Sequence, residues 1–582
     1  MIRARRSLAS AVVCALSLAG IAVAAEDYLL RAMKDELQRA KQIKLENLEP
    51  PYYVEFGLDD AESVDILASL GGVLTSSRTR FRVPDIRVRV GSPEFDNTNY
   101  VGSTFPFGGR YNLGTFPIEG SYDFYRRYFW LATDSAYKSA LEALARKRAA
   151  LRNLTITDKV PDFAPATPVQ RLLEPARPNM NEAGWTELAK SLSRVFATVE
   201  GLRQSDVHIH AYAGTRRFVN SEGTEVRFPE SGIGVRMRAS AQAADGMHLR
   251  NAAALYWLGL DLPPEAELRR VAANLAENLT SMVKAPVGEM YTGPVLFEGT
   301  AAAQMFAEVL GRNLAIPRRP VNEPGRPGVF PYSELDGRQG ARILPEWMNV
   351  ADDPTQADWR GRRLIGHYEI DREGVPPKPL LLVEKGVLKG FLLTRQPVRS
   401  YSGSNGRARM PGNFGANAAT ISNLFVQAAD TKPVAELKRQ MIDICNTRGK
   451  AYGLIVRKMD FPSSASMDEL RSLASGMAQS GGGKPVSIPL LAYRVYPDGR
   501  EELVRGLRFR GLNARSLKDI LAAGDDFTIF DYLENNAPFA LMGAPGYSAE
   551  ASIVAPSVLI DDLEMHRADE EQPKLPAVPP PK

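Results

Sequence analysis

Cysteine is nearly absent from this chain: Cys14 and Cys445 are the only two in 582 residues. Cys14 lies in a leader-like segment. Without that segment Cys445 has no intramolecular partner, and the fold must be held by its core alone. Cys445 sits in the helical pattern 434–447 and reads as a small buried hydrophobe. Histidine is almost as scarce, with five residues: His208, His210, His248, His367 and His566. A zinc enzyme usually gathers two or three histidines in a tight constellation. Only His208 and His210, alternating along a strand-like run, share a face. Charge of one sign is lacking too, because 72 Lys and Arg stand against 68 Asp and Glu. That balance excludes the dense basic surface of a nucleic-acid binder. No apolar run reaches the roughly 20 residues of a stable membrane span. There is no solenoid-length repeat and no Gly-x-Ser-x-Gly elbow. Gly481-Gly482-Gly483-Lys484 is followed by Pro485, where a phosphate loop needs Ser or Thr.

What is present describes a globular chain of more than one domain, with 44% hydrophobic and 24% charged residues. Residues 1–25 have a basic start, an apolar run from Leu8 to Val23 and an Ala22-Val23-Ala24 cleavage pattern. They read as an export signal, so the expected location is periplasmic or extracellular. Helical spacing marks 28–48, 122–151, 264–283 and 298–314. Short strand-like runs lie at 52–56, 72–77 and 86–90, and 205–258 is strand-rich, with Asn220-Ser221-Glu222-Gly223 as a hairpin turn. From residue 364 onward the pattern is mostly β, with strands expected over 364–370, 380–383, 387–393, 452–456, 491–496, 503–509 and 552–560. A capping box, Ser466-x-x-Glu469, opens one more helix. The aromatic cluster Tyr125, Tyr128, Phe129 and Trp130 reads as core. Glu230-Ser231-Gly232 reads as a plain turn, and the acidic pairs Asp352-Asp353 and Asp561-Asp562 as surface. Residues 568–582 have the composition of a disordered tail.

Several segments in order resemble the TldD/PmbA family, whose members are described as gyrase modulators and metallopeptidase relatives. They are Arg217–Thr224, Gly293–Glu298, Asp371-Arg372-Glu373-Gly374-Val375-Pro376, the hairpin Val383–Phe391, Ser404-Asn405-Gly406-Arg407-Ala408-Arg409 and Pro556–Ile560. The resemblance implies an α+β fold, with an N-terminal α/β domain followed by a β-rich C-terminal domain. The expected division is a leader (1–25), an α/β region (26–200), its strand-rich continuation with a helix (201–290), a β-rich C-terminal domain (291–567) and a Pro-rich tail (568–582). The resemblance also implies a homo- or heterodimer with a similar subunit, and a peptide as ligand.

Catalytic members carry H-E-x-x-x-H on a helix and a later cysteine. These hold zinc, and the glutamate acts as general base toward the metal-bound water. Alignment on Gly293–Leu296 puts Phe297 and Ala302 at the two histidine positions, Glu298 at the glutamate and Met542 near the cysteine. An aromatic ring and a methyl group cannot bind zinc, and a thioether is a poor zinc ligand. The resemblance therefore implies a degenerate subunit without a metal cofactor, its groove over 294–303 taking an extended peptide by β-augmentation. Two other readings stay open. One is a hydrolase with displaced zinc ligands drawn from His208, His210 and Glu298. The other is an envelope binding module.

Overall fold

The structure is a computed structural model that describes residues 27–101, 116–152, 160–177, 179–322, 332–411, 416–462, 486–535, 548–567 and 576. The leader, the capping box at 466–469, the glycine run at 481–483, Met542 and the tail apart from Pro576 lie outside those residues.

Five long antiparallel strands build the first sheet: β1 (Pro51–Ser69), β2 (Gly72–Ser92), β3 (Leu202–Asn220), β4 (Glu225–Gln242) and β5 (His248–Leu258). Their order is β2–β1–β3–β4–β5. Strict alternation gives each strand an apolar and a polar face. On β1 the apolar side is Val54, Phe56, Leu58, Val64 and Ile66, and on β3 it is Val207, Ile209 and Ala211, all buried. One end of this face is covered by α1 (Tyr28–Ala40) and α2 (Tyr122–Leu151), the other by α3 (Glu182–Arg194) and α4 (Glu265–Lys284). The β3–β4 turn forms because Asn220 Oδ1 accepts the N–H groups of Glu222, Gly223 and Thr224 at 3.0–3.1 Å. Gly223 takes φ 109° there, a conformation that costs other residues.

The C-terminal region has a six-stranded and an eight-stranded sheet. Strand β6 (Tyr291–Phe297) lies inside the larger one, between β7 (Gly453–Met459) and β8 (Val558–Arg567). Helix α5 (Thr300–Met305) continues through a π turn, Phe306–Leu310, and a final 3-10 turn, Gly311–Leu314. This segment joins the core made by both sheets, and Ala301, Ala302, Ala303, Met305, Phe306, Val309 and Leu310 are all buried. Its few polar side chains are anchored. Gln304 accepts the Met459 N–H at 2.8 Å, and Glu308 accepts the Ser487 N–H and hydroxyl at 2.8 and 2.7 Å. Helix α6 (Val434–Thr447) covers the outer face of the larger sheet with Leu437 and Met441, and Cys445 is buried on it. Among the described residues no helix is long and apolar enough to cross a membrane.

Several local expectations are corrected. Residues 364–370 contain turns rather than a strand, since Leu364 and Ile365 plug the core beside the chain's tight bends. The run 503–509 is two strands interrupted before Leu507, where Gly506 adopts φ 74°. The run 552–560 splits at Pro556-Ser557 into strands of two different sheets, because proline cannot donate to a ladder. Glu230–Gly232 lies within β4, not in a turn. Trp130 is 46% exposed while Tyr125 and Phe129 are buried, because it falls on the outer side of α2. Asp352 is fully buried rather than superficial, held by Arg407.

Candidate functional site

The positions aligned with the family's zinc ligands are built from core. Phe297 ends β6, paired with Val456 on one side and Val558 on the other. Its ring is fully buried and stacks on Phe509, with centroids 5.6 Å apart. Ala302 is also fully buried, in the same apolar cluster. The donor set does not fit zinc at these two positions. Met542 lies outside the described residues. Among the described residues no three His, Cys, Asp or Glu side chains form a metal-holding group.

Glu298 is engaged elsewhere. Its carboxylate accepts Arg457 Nε at 3.1 Å, and Arg457 in turn binds Glu501 at 2.7 Å, which also holds Lys438 at 2.9 Å. Both partners of the Glu298–Arg457 pair are about one-third exposed (28% and 33%), so the pair contributes little to stability. Glu298→Ala is expected to change the unfolding free energy by about 1 kcal/mol or less, measured by urea denaturation. A loss several times larger would give Glu298 a role this geometry does not.

The groove expected over 294–303 offers no edge for an added strand. Strand β6 is hydrogen-bonded on both sides and Ala301–Ala303 are buried, which corrects that placement.

His208 and His210 share the polar face of β3, and both donate to Asp65 Oδ1 on β1, Nε2 of His208 at 3.1 Å and Nδ1 of His210 at 2.8 Å. Burial would raise the Asp65 pKa, but these two hydrogen bonds outweigh it and hold the carboxyl well below the usual range. Arg236 reaches His208 Nδ1 at 3.4 Å, so both ring nitrogens of His208 are occupied. Glu298, bound to Arg457, makes no contact with this trio. The displaced ligand set His208, His210 and Glu298 is therefore not assembled.

The same polar face meets the C-terminal region along a charged seam that the sequence reading passed over. Cross-strand register lines up Asp59 with Arg216, and Tyr212 with Gly232. A side chain at Gly232 or Gly234 would come within 2.8 Å of the rings of Tyr212 or Tyr256, so glycine lets both tyrosines lie on the sheet. Tyr212 donates to Glu550 at 2.8 Å, Arg409 binds Glu550 at 3.2 Å, and Arg372 reaches Asp59 at 3.5 Å. Burial first, then the Glu550 carboxylate, raise the Tyr212 phenol well above its usual value. The signal for this seam was present as the period-two series His208, His210, Tyr212, Gly214, Arg216.

The family-like segments prove to be joints between the two regions. Arg395 is fully buried. It donates to Glu222 (2.7 Å), Tyr53 (3.2 Å) and the Ala164 carbonyl (2.9 Å), and stacks over Phe163. Its own N–H donates to Glu373 at 2.6 Å. Thus Asn220–Gly223 of the first sheet and Asp371–Gly374 of the second region meet through one residue, Arg395. His367 donates from Nδ1 to the Pro354 carbonyl at 2.7 Å and serves packing.

Asp371, beside Glu373, is pushed up to about 7, by burial first and then by the Glu373 charge, against three backbone N–H donors. An unfolded Asp ionises near pH 4, roughly. Between about pH 4 and 7 the folded protein therefore holds a proton that the unfolded chain has released, and stability falls as pH rises through that window. Asp371→Asn is expected to flatten the dependence in urea unfolding across that range. Parallel profiles for the two proteins would contradict this assignment.

This architecture is that of a two-region α+β protein whose long antiparallel sheet is clamped to a β-rich C-terminal body. Residues 291–460 match the PmbA/TldA metallopeptidase C-terminal domain. A protein named metalloprotease from Methanothermobacter thermautotrophicus is 23% identical over 205 residues, which are 34% of this chain and 41% of that protein. Another metalloprotease, from Archaeoglobus fulgidus, is 35% identical over 78 residues, 13% of this chain and 17% of that protein. The matches thus span less than half the length of these curated relatives. Among solved structures, a candidate modulator of DNA gyrase from Thermotoga maritima superposes with a TM-score of 0.52 at 15% identity, over 88% of this chain and 96% of that one. TldE from Thermococcus kodakarensis also gives 0.52, at 11% identity, over 92% and 99%. The chain therefore carries the C-terminal domain of the TldD/PmbA family and has that family's fold.

Proposed function

We propose that this is an exported, catalytically degenerate TldD/PmbA-like protein that works as a peptide-holding subunit, in a homo- or heterodimer with a similar chain. The observation that carries the reading is the core filling of the zinc positions by Phe297 and Ala302, with Glu298 committed to Arg457. No metal cofactor is part of the reading. The peptide lies along the charged seam between the first sheet and the C-terminal region, where aromatic and ionic groups reach solvent. With 72 Lys and Arg against 68 Asp and Glu the chain has no large basic excess, so the gyrase description of a structural neighbour is not carried over.

The test incubates the purified full chain with a random peptide library, then analyses bound and free fractions by mass spectrometry. Peptides retained intact support the reading. Chelator-sensitive cleavage, or no retention at all, contradicts it.

A further inference from the structure

Arg216 stands out among the arginines of the two regions. Its neighbour Arg217, on the opposite face of β3, binds Asp27 at 2.8 Å. Arg82, Arg89, Arg395 and Arg407 are each held by a carboxylate. The Arg216 side chain is partly buried on the polar face, yet it forms no hydrogen bond or ion pair with any described residue. The acids around it are already committed. Asp59, its cross-strand neighbour, pairs with Arg372; Glu550 holds Tyr212 and Arg409; Asp371 accepts three backbone N–H groups. Glu230 is exposed and bonds to none of them. Burial first and then the Arg372 charge lower the Arg216 pKa, while the fields of Glu230, Asp59 and Asp371 only partly offset them. Asp59 and Glu230 lie in the field of both guanidinium groups, yet neither carboxylate hydrogen-bonds to Arg216.

We infer that Arg216, with Arg372 beside it, is the anchor for a carboxylate of the peptide that occupies the seam. A guanidinium presents paired N–H donors that match the planar carboxylate. Such a ligand would neutralise the repulsion between Arg216 and Arg372 without displacing an existing ion pair. Tyr212, four residues away on the same face of β3, lies with its ring on Gly232. The inference rests on the peptide-holding reading. It adds which end of the ligand is recognised, or which side chain.

The test is fluorescence anisotropy of the full chain with three labelled peptides of one sequence: a free C-terminal acid, its C-terminal amide, and an amide ending in Glu. The acid is expected to bind about tenfold or more tightly than the plain amide, as charge-assisted hydrogen bonds allow. Arg216→Gln is expected to bring the acid's affinity down to the amide's. Because the Arg216 side chain makes no hydrogen bond or ion pair, this variant should stay close to the wild-type melting temperature. Binding of the Glu-ended amide as tightly as the acid would identify a side-chain carboxylate as the ligand group; weak binding would identify the terminus. Equal affinity of all three for the wild type, or an acid preference that survives Arg216→Gln, overturns the inference while leaving peptide holding intact. If no peptide binds, peptide holding fails, and calorimetry with N-acetylglycine decides the anchor alone. Heat that vanishes in Arg216→Gln supports it, and no heat in the wild type overturns it.

Discussion

Phe297→Ala is expected to destabilise the protein by about 3–5 kcal/mol, the cost of truncating a fully buried aromatic in a core that only partly collapses. The ring is held on every side that the structure defines. Its backbone is paired to Val456 and Val558, and its face lies on Phe509. No polar group replaces it and no solvent reaches it. Equilibrium unfolding in urea, compared with the wild type, measures the loss. A change below about 1 kcal/mol would mean that the ring merely occupies a roomy pocket, and the claim that this position has become core would fail.

Arg407→Ala is expected to cost a similar amount, about 3–5 kcal/mol, for a different reason. Arg407 and Asp352 are both fully excluded from water, 2.6 Å apart. Arg407 also donates to the carbonyls of Asn405 and Lys378 at 2.7 Å and of Asp352 at 3.0 Å. Asp352 additionally accepts the N–H and hydroxyl of Ser422, at 2.7 and 2.8 Å. Truncation strands a buried carboxylate and several carbonyls together. The double variant Asp352→Ala, Arg407→Ala should therefore lose less than the two single losses combined, because the second change removes the stranded charge. Strict additivity in urea unfolding would contradict the coupling.

How much of this was legible in the sequence depended on the range of the interaction. Helices α2 and α4 follow from local spacing, and the β3–β4 hairpin from Asn220–Gly223, because the forces that make them act within a few residues. The family likeness likewise rested on short segments, of which those from Gly293 to Arg409 fall within residues 291–460, while Arg217–Thr224 and Pro556–Ile560 fall outside them. Asp352 was misread as surface because its partner is 55 residues away and nothing local marks the pair. The strand expected over 552–560 is apolar apart from Ser552, Pro556 and Ser557 and shows no alternation, so periodicity does not reveal that its two halves serve different sheets. The groove over 294–303 looked open for the same reason, since the strands that pair both edges of β6 come from residues 453–459 and 558–567. Arg216 was passed over because a lone arginine in a strand is unremarkable until its neighbours' partners are known.

The central claim is that the family's zinc positions have become structural. Elemental analysis of the purified full chain, after zinc supplementation and exhaustive dialysis, tests it most directly. The account predicts zinc far below one atom per chain, and no difference between the wild type and Glu298→Ala. One tightly held zinc per chain, lost in Glu298→Ala, would contradict it.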